Sequence, residues 1–246
     1  MKRFMGTVAG VLLLAGFATE NAEAVPLELA LVVDASGSIN ATEWDLQMEG
    51  YANAIRNVLP GNNTVAVSVV RFATTATVVR ALTPLTNASD VEDLADFFFD
   101  DVTMMGLSQA GNGDLTCIVC GIEAAEGTFT DTATKAIIDV STDGVFTQGA
   151  DPNSGPGVVG SAEWAVANSA DVVNAIGIGT GVAPNFAHGP GSFSLLATDF
   201  EDFAEVLEDK LLKETGQVPE PGTVGMLAVG LLALGAVARR RLTNER

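Results

Sequence analysis

The sequence predicts an α/β fold: a doubly wound, mostly parallel sheet flanked by helices, with one short antiparallel edge hairpin. Three observations predict it. Aliphatic and β-branched runs alternate with stretches of helical spacing from residue 27 to residue 214. Some runs, such as Leu29 to Val33, are apolar at every position, as strands buried on both faces are. Short loops of Asp, Ser, Gly and Asn follow the strands, where sheets of this class place their ligands.

Leu27 to Val33 reads as the first strand. Asp34 to Asn40 is small and polar, hence a loop. Thr42 to Val58 puts Trp44, Met48, Tyr51 and Ile55 on one side of a helix, with Thr42 as its cap. Thr64 to Phe72 and Thr74 to Leu82 form two strands joined tightly enough for a hairpin. Ser89 caps a helix running to about Val102, with Val91, Leu94, Phe97 and Phe98 inward. Residues 103 to 115 form a Gly-rich loop, and Thr116 opens a helix to Glu126. Lys135 to Val140 is a strand, Val159 to Ser169 a helix and Val172 to Ile178 a strand. A short strand at Ser192 to Ala197 and an amphipathic helix at Asp199 to Glu214 close the pattern.

Both ends read as targeting signals. Lys2 and Arg3, an apolar run from Phe4 to Phe17 and Ala22-Glu23-Ala24 form a secretory signal peptide over residues 1–24. Near the other end, Pro219-Glu220-Pro221 precedes a short apolar stretch from Gly222 to Ala238, closed by Arg239, Arg240 and Arg241. That order resembles the PEP-CTERM sorting signal of Gram-negative bacteria. The resemblance implies recognition by an exosortase, a transient inner-membrane anchor through a short transmembrane helix, and delivery to the cell surface or extracellular matrix. The expected division is 1–24 signal peptide, 25–216 folded domain and 217–246 sorting segment.

Between Val25 and Pro221 there are six basic and 28 acidic residues, a net formal charge of −22. Such a surface repels nucleic acid and anionic lipid and favours divalent cations. Contact with a membrane is expected only through the tail before processing. The two cysteines, Cys117 and Cys120, are too few for a zinc site; in an exported chain they make a local disulfide or two quiet thiols.

Three polar motifs fall at or near strand ends: Asp34-Ala35-Ser36-Gly37-Ser38, Thr116 and Asp143. Together they suit a hard cation. Hydroxyls are neutral oxygen ligands, and two carboxylates can hold the waters that Mg²⁺ gives up reluctantly. Few full charges touch the metal, so it stays electrophilic and can take a carboxylate from a partner. This set resembles the von Willebrand factor A (VWA) domain and its metal-ion-dependent adhesion site, over roughly residues 26 to 215. The resemblance implies that Ser36, Ser38 and Thr116 bind the metal directly, while Asp34 and Asp143 act mainly through water. A glycine often precedes the threonine in that superfamily, whereas Leu115 stands here. Within the superfamily, Trp44 to Ala54, Ile138 to Gly144, Gly189-Pro190-Gly191 and Asp199 to Ala204 look like an uncharacterised bacterial subfamily of exported VWA proteins.

The remaining candidates point elsewhere. His188, the single histidine, has no Gly-x-Ser-x-Gly elbow to serve and reads as an exposed loop residue. Asp139 interrupts an apolar strand and is expected to accept a hydrogen bond behind the metal loops. Asn112 and Asp114 read as loop polars. Phe97, Phe98 and Phe99 read as core. The expected function is therefore binding or adhesion through a divalent cation, Mg²⁺ first and Mn²⁺ or Ca²⁺ as alternatives, to a carboxylate of a protein or matrix ligand. No catalytic residue is expected. The alternatives are a structural matrix protein stabilised by its metal and, further off, a metal- or thiol-dependent enzyme.

Overall fold

In the computed structural model of the chain, residues 27–216 are described, apart from Ala110 and Asp131. The expected signal peptide and the sorting segment, including its apolar stretch, lie outside these residues. Among the described residues no helix is long and apolar enough to cross a membrane.

Six strands form one sheet. They are β1 (Leu27–Asp34), β2 (Val65–Phe72), β3 (Ala76–Pro84), β6 (Lys135–Thr142), β7 (Val172–Ile178) and β8 (Ser194–Ala197). Their order is β3-β2-β1-β6-β7-β8, with every neighbour parallel except the β2–β3 hairpin at one edge. The central strands are buried along almost their whole length and mostly apolar, because both their faces are covered.

On one face lie α1 (Ala41–Val58), α2 (Ala88–Phe98) and α5 (Phe203–Glu214), over Leu29, Leu31, Ile137 and Ile176. Here Tyr51 of α1 is fully buried, stacked on Phe98 at 4.6 Å and edge-on to Phe203 at 5.2 Å. Aromatic pairs at such spacings add stability beyond their buried area. On the other face lie α3 (Ile118–Glu126) and α4 (Ala162–Ala167), packed over Ala30, Val32, Ile138 and Val140.

The helix starts differ from the expected ones for a definite reason. Asn40, not Thr42, caps α1: its side chain accepts from the Thr42 and Glu43 amides while Glu43 reaches back to the Asn40 amide. Asn87, not Ser89, caps α2 in the same reciprocal way with Asp90. Each box satisfies orphan amides from both ends, which a lone Thr or Ser two residues later cannot do. Helix α2 also stops at Phe98 rather than near Val102. Phe99–Asp100 (β4) pairs instead with Met105–Gly106 (β5), and the Asp100 carboxylate accepts from the Val102 and Thr103 amides. The α5 helix begins at Phe203, after a turn in which Asp199 accepts from the Asp202 amide. The α4 helix is shorter than its spacing suggests and is capped by Ser161.

Gly121 lets α3 lie close on the sheet. A Cβ there would stand 2.8 Å from Val32 Cγ1 and 3.0 Å from the Phe72 ring. Gly127, at the end of the same helix, has right-handed φ and no atom closer than 3.7 Å. We expect Gly121→Ala to destabilise the fold by about 1–3 kcal/mol, overpacking outweighing the helix-propensity gain of about 1 kcal/mol. Gly127→Ala should be neutral or slightly stabilising. Urea midpoints at unchanged m-value measure both.

Candidate metal site

The site is built at the carboxyl edge of the sheet, where three loops meet. Strand β1 ends in Asp34 and β6 ends in Thr142, and the two strands run parallel in register, Val33 opposite Ser141. The last residues of both strands therefore lie side by side. Thr142 donates its hydroxyl proton to Asp34 Oδ2 at 2.6 Å, and the Ser36 amide donates to Asp34 Oδ1 at 2.9 Å. Asp34 is fully buried. Burial, with a smaller contribution from the charge of Asp143, raises its pKa from the ordinary 3.8 to about 6 against the lowering effect of these bonds.

Ser36 and Ser38 hydroxyls lie 3.0 Å apart, and Ser38 donates to Asp143 Oδ1 at 2.8 Å. Ser36 is buried, Asp143 half-buried and Ser38 exposed, so the cluster opens to solvent on one side. Partial burial raises the Asp143 pKa, against the lowering effect of Ser38.

The loops are tied to one another by backbone. The Ala35 amide bonds to the Phe72 carbonyl and the Cys117 amide to the Ala73 carbonyl, so the end of β2 anchors both the first and second loops. Gly37 N–H reaches the Asp114 carbonyl at 2.9 Å, joining first loop to second. The Thr116 amide donates to Thr147 Oγ1, and the Thr147 and Gln148 amides donate to the Thr116 carbonyl, joining second to third. Gln109 braces the first loop from outside, its amide donating to the Ser36 and Ile39 carbonyls.

Four of the five sequence-derived residues, Asp34, Ser36, Ser38 and Asp143, thus belong to one local cluster. Thr116 stands beside it, held by its backbone. It is buried, and among the described residues its hydroxyl makes no hydrogen bond. Leu115 in place of glycine turns its side chain outward, 44% exposed, and its amide bonds to Thr74 Oγ1. Left-handed positions near Thr116 fall instead at Gly111 and Gly113, with φ of 115° and 86°.

The residues present fit a hard cation. Among the described residues no group of three or more His, Cys, Asp or Glu side chains is placed to hold a metal. An ion here would be held by hydroxyl oxygens and water under two carboxylates that burial keeps protonation-prone, and its charge would relieve that cost.

Sequence reasoning missed Thr142 as the partner of Asp34, and Gln109. The signal for Thr142 was its place one residue before Asp143 on a strand adjacent to β1. Asp139 does not sit behind the loops. It is buried three residues earlier on the same strand, β6, against Lys210 of α5. His188 is exposed, and its backbone bridges to Val173. Asn112 is buried and accepts from Arg71. Cys117 and Cys120 are joined by a disulfide in the first turn of α3.

The family described as "Protein of unknown function (DUF1194)" matches residues 24–219, and the PEP-CTERM protein-sorting motif matches residues 217–241. No curated protein matches the chain. Among solved structures, proximal thread matrix protein 1 (PTMP1) from the mussel byssus is 22% identical with a TM-score of 0.58, covering 78% of this chain and 47% of that one. A further structure of that protein carries a zinc-occupied MIDAS motif. The pilus adhesin SpaC from Lactobacillus rhamnosus GG is 15% identical with a TM-score of 0.55, covering 78% of this chain and 31% of that one. The chain thus spans less than half the length of either structure. An aerotolerance-related membrane protein from Bacteroides fragilis is 15% identical with a TM-score of 0.50, covering 76% of this chain and 99% of that one. At these identities the likeness is one of fold.

The raised pKa of Asp34 has a definite sign. Its folded value lies above its unfolded one, so ionising it costs the metal-free fold stability. That cost is absent below about pH 4 and complete once the pH has risen past 6. In EDTA, native stability relative to Asp34→Asn should fall by up to about 3 kcal/mol between pH 4 and pH 7.5. Urea denaturation of both proteins across that range measures it, and the comparison cancels groups the two proteins share.

Proposed function

We propose a function for a chain that belongs to the DUF1194 family and folds as a VWA domain: an exported surface or matrix protein that grips a partner's carboxylate through a divalent cation. The observation that carries this reading is the hydrogen-bonded set at the sheet edge. Asp34 is locked by Thr142 and Ser36, and Ser36 and Ser38 run on to Asp143 with one side open to water.

In this reading Ser36, Ser38 and Thr116 supply direct oxygen ligands, and Asp34 and Asp143 hold coordinated water. The direct ligands are neutral, so the ion keeps enough positive charge to take an anionic oxygen from outside. Mg²⁺ suits the all-oxygen set, and Mn²⁺ or Ca²⁺ can replace it. A cleft of about 400 Å³ opens right after Asp143, lined by Val145, Phe146, Val182, Pro184 and Phe186. An acidic side chain flanked by apolar groups would fit both features at once.

The sorting-motif match and the acidic surface support an extracellular setting on a Gram-negative cell, with an exosortase as the processing partner and a transient membrane anchor. The likeness to a pilus adhesin and a thread matrix protein supports binding or scaffolding rather than catalysis. The division into a signal peptide at 1–24, a domain at 25–216 and a sorting segment at 217–246 completes the reading.

The test is capture of components from the producing cells' surface fraction on immobilised protein, with Mg²⁺ against EDTA. Binding should require Mg²⁺ and fall at least tenfold in Asp34→Ala, whose folding is checked by circular dichroism. Capture that survives both EDTA and the substitution would contradict the proposal. A melting temperature lowered by EDTA, with no metal-dependent ligand, would favour a purely structural metal.

A further inference from the structure

Beneath the sheet, away from the loops, lies a second polar cluster that metal binding does not use. Lys210 of α5, Asp139 of β6 and Glu214 of α5 are buried together, at 0%, 0% and 4% exposure. Lys210 Nζ touches Asp139 Oδ1 directly and lies 2.7 Å from Glu214 Oε1. Asn174, opposite Asp139 on β7, donates to the same Glu214 oxygen at 2.8 Å, and its own carbonyl accepts from the Phe193 amide. Leu31, which pairs with Asp139 on β1, and Leu207, Leu211 and Tyr51 belong to the apolar core on this face.

This arrangement is poorly satisfied as an ion pair. Asp139 Oδ2 and Glu214 Oε2 are both buried without a hydrogen-bond partner. One ammonium faces two carboxyl groups, and burial with the nearby Asp139 charge pushes the Glu214 pKa up to about 8, so that group is largely protonated at neutral pH. A cell surface protein has no need of such a cluster for solubility, and a buried ion pair adds little net stability over apolar packing.

The geometry points to a covalent fate for this cluster: an isopeptide bond between Lys210 Nζ and Asp139 Cγ, with Glu214 as the proton-shuttling catalytic residue. The step balances. The ammonium passes one proton to the Asp139 carboxylate. The neutral amine attacks Cγ while protonated Glu214 donates to a carboxyl oxygen. A second nitrogen proton passes to the Glu214 carboxylate and on to the leaving oxygen, and as water departs the retained oxygen returns its proton to Glu214. An amide and one water result, and Glu214 ends as it began.

Three features favour the reaction. The reacting groups are held in contact, which replaces a bimolecular encounter by a positioned one. Condensation removes two buried charges and one unpartnered oxygen. The Asn174 contact fixes Glu214 against the nitrogen. The product would tie the last helix to the strand that carries Thr142 and Asp143, joining parts of the chain far apart in sequence.

Mass spectrometry of the full chain, reduced and digested with trypsin, tests the inference. No Lys or Arg lies between Lys135 and Lys210. The expected product is a fragment 136–213, uncut at Lys210 and lighter than its sequence by one water, with fragmentation placing the link at Asp139. Complete cleavage at Lys210 with no mass loss would overturn the proposal. Loss of ammonia instead of water would place the link at Asn174 and overturn the assignment to Asp139. Glu214→Gln should leave most chains unlinked and cleavable at Lys210. Linkage undiminished in that variant would overturn the role of Glu214. If the variant fails to fold, the native mass still decides whether the bond exists.

Discussion

The hydrogen bond from Thr142 to Asp34 is the contact on which the candidate site depends. It exists because β1 and β6 are adjacent and parallel, so both end at the same edge of the sheet. Parallel strands make such edges naturally, since each crossover returns the chain to start again at the same side. Asp34 can be fully buried there only because both its oxygens are met, one by the Thr142 hydroxyl and one by the Ser36 amide. With Asp34 fixed, the turn from Ala35 to Ile39 is set, and Ser38 is brought to Asp143.

The same sheet carries two polar systems of different character. At its edge, hydroxyls and carboxylates share hydrogen bonds and keep one open side. In its interior, Lys210, Asp139 and Glu214 are closed off from water and incompletely paired. Strand β6 carries residues of both, with Asp139 in one system and Thr142 in the other. Between them Ser141 meets the Tyr51 hydroxyl at 2.6 Å, so α1 is also tied to this strand. Rigidity at β6 is therefore shared by the site and by the helices that back it.

Much of the architecture was legible because alternation and β-branched runs are local signals. The strand at Val172 to Ile178 matches its expected bounds, and the hairpin of β2 and β3 forms the expected antiparallel edge. Helix starts were less legible. Asn40 and Asn87 win as caps through a reciprocal bond with the residue three further on, a pair the apolar spacing does not report. The site residues could be picked out singly because each motif follows a strand. Their assembly depended on strand order, which sequence spacing does not state: only with β1 beside β6 does Thr142 meet Asp34. The Asp139 partner was invisible for the same reason, since Lys210 lies on a helix distant in sequence and reads there as an ordinary amphipathic lysine.

In the proposed function the Asp34 to Asp143 cluster holds one divalent cation. Its most direct test is a titration of the purified, EDTA-stripped protein with Mn²⁺, followed by electron paramagnetic resonance of the free ion and repeated on Asp34→Ala and Asp143→Ala. The expected result is one bound ion per chain, displaced by excess Mg²⁺ and lost or greatly weakened in both variants. Absence of saturable binding to the native chain, or binding that persists unchanged in both variants, would contradict it.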